Sequence, residues 1–215
     1  MNLDWINEDE NALIYVGDTM CSWCYGFTKE LDGFIQAHPE LKLRLVQGGL
    51  RPGNRQKAKD MRDILMSHWV EIGERTGMPF KDAILNDPNF VYDTEPASRA
   101  VVVVRMLDPS KEMAFFKGVQ TAFYRDNKNT NDLATYLSLA KAHGLDPEKF
   151  ESLFESEEAK LATKADFQLS AEMGIQGFPA LVIKKGKEFF MLSNGYQELK
   201  HLEVAYTHIM ETTSK

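Results

Sequence analysis

The sequence predicts an α/β protein in which a small mixed sheet is split by an α-helical insert. Three observations carry that expectation. A strand–helix–strand pattern opens the chain, a hairpin and a helix close it, and the roughly one hundred residues between them are patterned as helices.

Leu13-Ile14-Tyr15-Val16 is a short apolar run ending at Gly17-Asp18, as a buried strand does. Cys24, Phe27, Leu31, Phe34 and Ile35 recur at three- and four-residue spacing. That is one face of an amphipathic helix, which stops near His38-Pro39. Leu41, Leu43 and Leu45 then alternate with Lys42 and Arg44, the period of a strand. The order predicts a right-handed βαβ unit with its two strands parallel.

In the insert, Met61, Leu65, Trp69 and Ile72 form one stripe that ends at Gly77 and Pro79. Pro96 suits the first turn of a second helix, and Phe116, Val119 and Phe123 mark a third. A Thr130/Asn131 cap starts a fourth through Leu133, Leu137 and Ala140, with Gly144 as its stop. Phe150, Leu153 and Phe154 mark a shorter fifth. Leu161, Ala165, Leu169 and Met173 line a longer one running up to Gly174. The tail reads Ala180-Leu181-Val182-Ile183, a Lys-Gly turn and Phe189-Phe190-Met191-Leu192, an antiparallel hairpin. A final helix follows, with Leu199, Leu202, Tyr206 and Ile209 on one face. Residues 1–52 and 156–215 are thus expected to form one split domain, with 53–155 inserted as a helical domain.

Composition narrows the function classes. The chain of 215 residues is 43% hydrophobic and carries a formal net charge of -7. Such a charge argues against broad attraction to nucleic acid or an anionic membrane. The longest apolar run, Ala100 to Val104, is far too short for a membrane span. The first residues show neither a basic n-region nor an apolar h-region, so a cytoplasmic location is expected.

The 2 cysteines, Cys21 and Cys24, decide more than any other feature. A bond between them closes a tiny loop and is a weak staple, so stabilisation is a poor reason for the pair. A structural zinc normally takes four ligands. No second CxxC exists, and His38, His68, His143, His201 and His208 show no ligand spacing. Redox chemistry is the better reading. Cys21 falls between a buried strand and the start of a helix, where unpaired N–H groups and the helix dipole favour a thiolate. Cys24 lies one turn further in. Cys21 is therefore the expected nucleophile and Cys24 the resolving thiol. Trp23, between them, offers an apolar surface to a substrate.

The run Asp18-Thr19-Met20-Cys21-Ser22-Trp23-Cys24-Tyr25-Gly26-Phe27, with Gly177-Phe178-Pro179-Ala180-Leu181-Val182 far downstream, resembles the DsbA family. It is nearest the cytosolic branch of predicted protein-disulfide isomerases, close to the FrnE-like proteins. The resemblance covers essentially the whole chain and implies a thioredoxin fold carrying a helical insertion. It implies that Pro179 matches the family's cis-proline beside the dithiol. Phe178 would then offer backbone N–H and C=O groups to an extended substrate. Two departures stand out. Phe178 is bulkier than the family's usual residue there, and Ser22-Trp23 replaces the Pro-His of strongly oxidising periplasmic members. Lacking that histidine, the dithiol is not expected to be an extreme oxidant.

The leading function is therefore a protein-disulfide oxidoreductase, reductase or isomerase, exchanging with protein or small-molecule thiols. No cofactor is expected besides the Cys21–Cys24 disulfide, with glutathione an open option as co-substrate. The alternative is a glutathione-dependent enzyme of the 2-hydroxychromene-2-carboxylate isomerase or kappa-class transferase type. Those place a lone Ser at the helix start, whereas this chain keeps both cysteines. A third class is a redox-sensing module that switches a partner surface. Asp18 reads as a helix cap in preference to a proton carrier for Cys24. Asp93-Thr94-Glu95-Pro96 reads equally as a helix start or as the border of the cleft. Trp5, Trp69 and the phenylalanines are expected in the core, and Glu157 and Glu158 in a solvated first helical turn.

Overall fold

A computed structural model of the chain describes residues 9–212, so Trp5 lies outside the described residues. Strand β1 (Asn11–Gly17) is flanked by β2 (Lys42–Gln47) in parallel and by β3 (Ala180–Lys185) antiparallel. Strand β4 (Glu188–Asn194) pairs antiparallel with β3 and completes the order β2-β1-β3-β4. The central β1 is covered on both faces, which is why it reads as an unbroken apolar run rather than an alternation. Leu13 and Tyr15 enter the larger core with Phe27, Leu31, Phe34, Leu181 and Ile183. Ile14 and Val16 face the other way, onto Val46, Leu169, Ile175, Ala180 and Val182.

The helix expected after β1 is two helices. α1 (Ser22–Gly26) ends at Phe27, and α2 (Thr28–Ala37) starts after it. Phe27 keeps helical angles (φ -79, ψ -7), so both pieces hold their apolar side inward. That continuity of face is why periodicity alone shows a single stripe. Five further helices fall between β2 and residue 155: α3 (Arg62–Thr76), α4 (Glu95–Leu107), α5 (Glu112–Tyr124), α6 (Leu133–Ala142) and α7 (Pro147–Phe154). α8 (Glu157–Glu172) leads back to the sheet and α9 (Leu199–Thr212) closes the described chain. Trp69 is buried as expected, among Phe80, Phe123 and Tyr124.

Two local expectations need correction. Asp132, not Thr130 or Asn131, stands at the start of α6, and it makes no side-chain cap. Thr130 is fully buried, and its hydroxyl donates to Met20 Sδ at 3.3 Å. In α8, Leu161 is 65% exposed. The inward face carries Ala159, Thr163, Ala165, Asp166, Leu169 and Ser170. An inward face made of small and charged residues escapes a search for large apolar ones. Its charge has a purpose. Asp166 pairs with Arg105 of α4 at 2.6 Å and accepts the Gln47 N–H of β2 at 2.9 Å. Arg105 also bonds Glu112 of α5 at 2.7 Å and the Leu45 carbonyl at 3.1 Å, so one guanidinium ties three helices to the sheet. Burial pushes the Glu112 carboxyl up to about 7 against the pull of Arg105.

Candidate active site

Strand β1 delivers the chain to a tight turn in which the Cys21 N–H donates to the Asp18 carbonyl at 3.1 Å. Cys21 takes the N-cap position of α1 in extended backbone (φ -87, ψ 115), and Cys24 lies one turn along. Both are free thiols. Cys21 is 7% exposed and Cys24 only 1%.

The second half of the site comes from the far end of the sequence. The Phe178–Pro179 peptide is cis and leads directly into β3. Because Ala180 pairs with Val16 at the end of β1, the sheet register sets this peptide beside the dithiol. The Cys21 thiol donates to the Phe178 carbonyl at 3.5 Å. The bulk of Phe178 is absorbed by the loop after β2. A Cβ on Gly48 would stand 2.3 Å from Phe178 Cε1, so only glycine leaves room for the ring. Gly49 next to it has φ +69, and its missing side chain gives space to Phe167.

Beneath the turn lies a buried polar cluster. Asp18 is not a helix cap, since α1 begins with Cys21 in that position. Its fully buried carboxylate instead accepts the N–H groups of Met20 and Leu50, each at 2.8 Å. It thereby closes the dithiol turn and ties it to the loop after β2. Burial pushes this carboxyl up to about 6, with the Leu50, Met20 and Thr94 hydrogen bonds opposing and the Asp93 charge adding. Thr94, buried at the start of α4, also accepts the Arg51 N–H at 3.0 Å. Asp93-Thr94-Glu95-Pro96 is thus a helix start and a wall of the site at once. The Tyr92 hydroxyl donates to the Met20 carbonyl at 2.6 Å and lies 3.5 Å from that of Tyr124.

Burial raises the Cys24 thiol well above an ordinary cysteine, and the nearby Cys21 sulfur raises it further. The Asp18 N–H and the Tyr15 hydroxyl pull it back. Tyr15 is fully buried and its hydroxyl makes no well-formed hydrogen bond. After burial itself, the Cys24 sulfur acts on it most strongly. Sequence reasoning missed Tyr15, although a lone hydroxyl inside the apolar run of β1 was a signal. It also missed a stack on the outer side. Trp23 lies 5.5 Å from Tyr196, and the Arg75 guanidinium covers both rings, at 5.6 and 4.7 Å. Among the described residues no group of three His, Cys, Asp or Glu is placed to hold a metal ion, and no helix is long and apolar enough to cross a membrane.

A dithiol at the strand–helix junction of this four-stranded sheet, faced by a cis-proline and interrupted by helices, defines a thioredoxin-fold protein with a helical insertion. The family model of the DSBA-like thioredoxin domain matches residues 12–207, and the chain belongs to that family. A candidate protein disulfide isomerase from Nitrosomonas europaea is 33% identical and superposes with a TM-score of 0.87, over 95% of this chain and 99% of that one. The cytosolic disulfide reductase DsbM of Pseudomonas aeruginosa, also solved with GSH, is 25% identical with a TM-score of 0.77, over 93% and 98% of the two chains. The ClpXP adapter protein SpxH of Halalkalibacterium halodurans is 25% identical over 172 residues, 77% of this chain. The match spans 56% of that relative, little more than half its length.

Proposed function

We propose that the protein is a cytosolic thiol–disulfide oxidoreductase, a reductase or isomerase, with Cys21 as nucleophile and Cys24 as resolving thiol. The observation that carries this reading is the graded burial of the two thiols, with the outer one against the Phe178 carbonyl beside cis-Pro179. The similarity to DsbM, a cytosolic disulfide reductase whose structure is also known with GSH, supports the compartment and a thiol co-substrate.

In the forward direction the Cys21 thiolate attacks one sulfur of a substrate disulfide. The substrate S–S bond breaks, a new S–S bond joins Cys21 to the substrate, and the departing thiolate takes up a proton. Cys24 then loses its proton and attacks Cys21 Sγ. The mixed disulfide breaks, the second substrate thiolate leaves, and the Cys21–Cys24 disulfide holds the oxidation equivalent. Two thiols of a donor such as glutathione return the dithiol and form the donor's disulfide. In isomerisation the substrate's own second thiol displaces Cys21 instead. Trp23 and the free backbone edge at Phe178 flank the sulfur and would hold an extended client. Both cysteines are needed for this cycle, which favours it over a lone-hydroxyl glutathione isomerase or transferase.

Cys24→Ser should accumulate mixed disulfides through Cys21 that thiol reductants release, with loss of insulin reduction. Absence of any such adduct, together with no reduction of insulin by the unmodified protein, would sink the reading.

A further inference from the structure

The outer wall of the site carries a cation that the exchange chemistry does not itself require. Arg75, near the end of α3, is exposed, and its guanidinium lies over the aromatic pair Trp23 and Tyr196. Trp23 belongs to the dithiol motif itself, two residues after Cys21, so the guanidinium contacts the segment that carries the reactive sulfur. Two carboxylates are close enough to act on the same tyrosine; each bonds another group, and Glu198 also feels the Arg75 charge. Glu30 accepts the Leu199 N–H at 2.6 Å, and Glu198 pairs with Lys200 at 2.7 Å. Arg75 has no ion pair of its own among the described residues.

A guanidinium over an aromatic face is held there through its charge, and its planar set of N–H donors can still fork onto a carboxylate. On a chain of net charge -7, a local cation beside the thiol is also what allows an anionic client to approach.

Resting on the exchange reading above, we propose that Arg75 is a specificity residue that receives a substrate carboxylate. The preferred clients are then small or peptide disulfides bearing an acidic group within reach of the reacting sulfur. Its simpler role, fastening α3 to α1 through the two rings, would serve every client equally, and this difference makes the proposal testable.

The test compares kcat/KM for glutathione disulfide, which carries carboxylates, with that for neutral 2-hydroxyethyl disulfide, in the unsubstituted protein and in Arg75→Gln and Arg75→Lys. In Arg75→Gln the ratio of the two values should fall about three- to fivefold, the scale of one exposed charge pair. Arg75→Lys, which keeps the charge and loses the fork, should restore part of it. An unchanged ratio, including one in which both substrates suffer equally, overturns the proposal and leaves the exchange reading standing. Failure of the unsubstituted protein to reduce either disulfide overturns the exchange reading itself, and this proposal with it.

Discussion

Replacing Asp18 with Asn tests whether the dithiol turn is built around a carboxyl that ionises at a cost. The group is fully buried, and burial moves its titration from 3.8 to about 6. An acid raised in the folded state binds its proton more tightly there than in the unfolded chain. Its charging therefore destabilises the fold. The sign is that stability is highest below about pH 3.8, falls as the pH rises through about 6, and levels off above. At 1.36 kcal/mol per pH unit this amounts to about 3 kcal/mol. Asparagine is neutral throughout and removes that dependence. It can accept only one of the two N–H groups now bonded, and its own NH2 faces the other, at a cost of about 1–3 kcal/mol. The variant should thus be the less stable protein near pH 4 and should gain on the parent by about 3 kcal/mol by pH 7. Urea unfolding of both proteins, kept reduced by a phosphine and repeated across that range, measures the difference with other titrating groups cancelling. A difference constant to within about 1 kcal/mol, the scatter of such extrapolations, refutes the reasoning.

Tyr15→Phe removes a hydroxyl that holds the Cys24 thiol down, so Cys24 should titrate higher and resolve mixed disulfides more slowly. Ultraviolet thiolate absorbance in a Cys21→Ser background reads the first effect; an unmoved Cys24 titration would show that the hydroxyl does not reach the sulfur. Gly48→Ala places a methyl 2.3 Å from the Phe178 ring and should cost about 1–3 kcal/mol of stability while slowing exchange, since the displaced ring carries the carbonyl against Cys21. Thermal melts and insulin reduction check both parts, and a variant with parental values on each would contradict the packing described. Asp166→Ala strips the half-buried Arg105 of one partner and the buried Gln47 N–H of its acceptor, and should lower stability by about 1.5–3 kcal/mol in urea titration. A loss below about 1 kcal/mol, the range of surface ion pairs, would mean that solvent reaches this pair.

Much of the layout was legible because it is written in local periodicity. The apolar run of β1, the alternation of β2 and the hairpin after Pro179 each follow from spacing that a strand or helix must have to bury one face. The Cys21–Cys24 pair was legible for a different reason: two cysteines so close make little sense as a staple. What spacing misread were residues whose neighbours come from elsewhere in the chain. Asp18 looked like a cap because the N–H it also serves, that of Leu50, lies thirty-two positions away. Leu161 looked like core because nothing in a heptad-like stripe reveals that the inward face of α8 belongs to Ala159 and Asp166. Phe178 stood out as a bulky departure because the residue that accommodates it, Gly48, lies far away in the chain.

By itself, then, the sequence determined the order of elements: a pair of cysteines between a strand and a helix, a helical interruption, and a proline before the returning strand. These depend on residues within a turn or two of each other, where backbone geometry leaves few choices. Only the tertiary structure decided what surrounds the sulfurs. The pairing of β1 with β3 brings the Phe178 carbonyl to Cys21, the loop after β2 closes over Asp18, and the packing of α3 on α1 sets Arg75 over Trp23. Burial, the titration of a carboxyl and the approach of a guanidinium to a ring are set by atoms distant in the chain, and no local pattern carries that information.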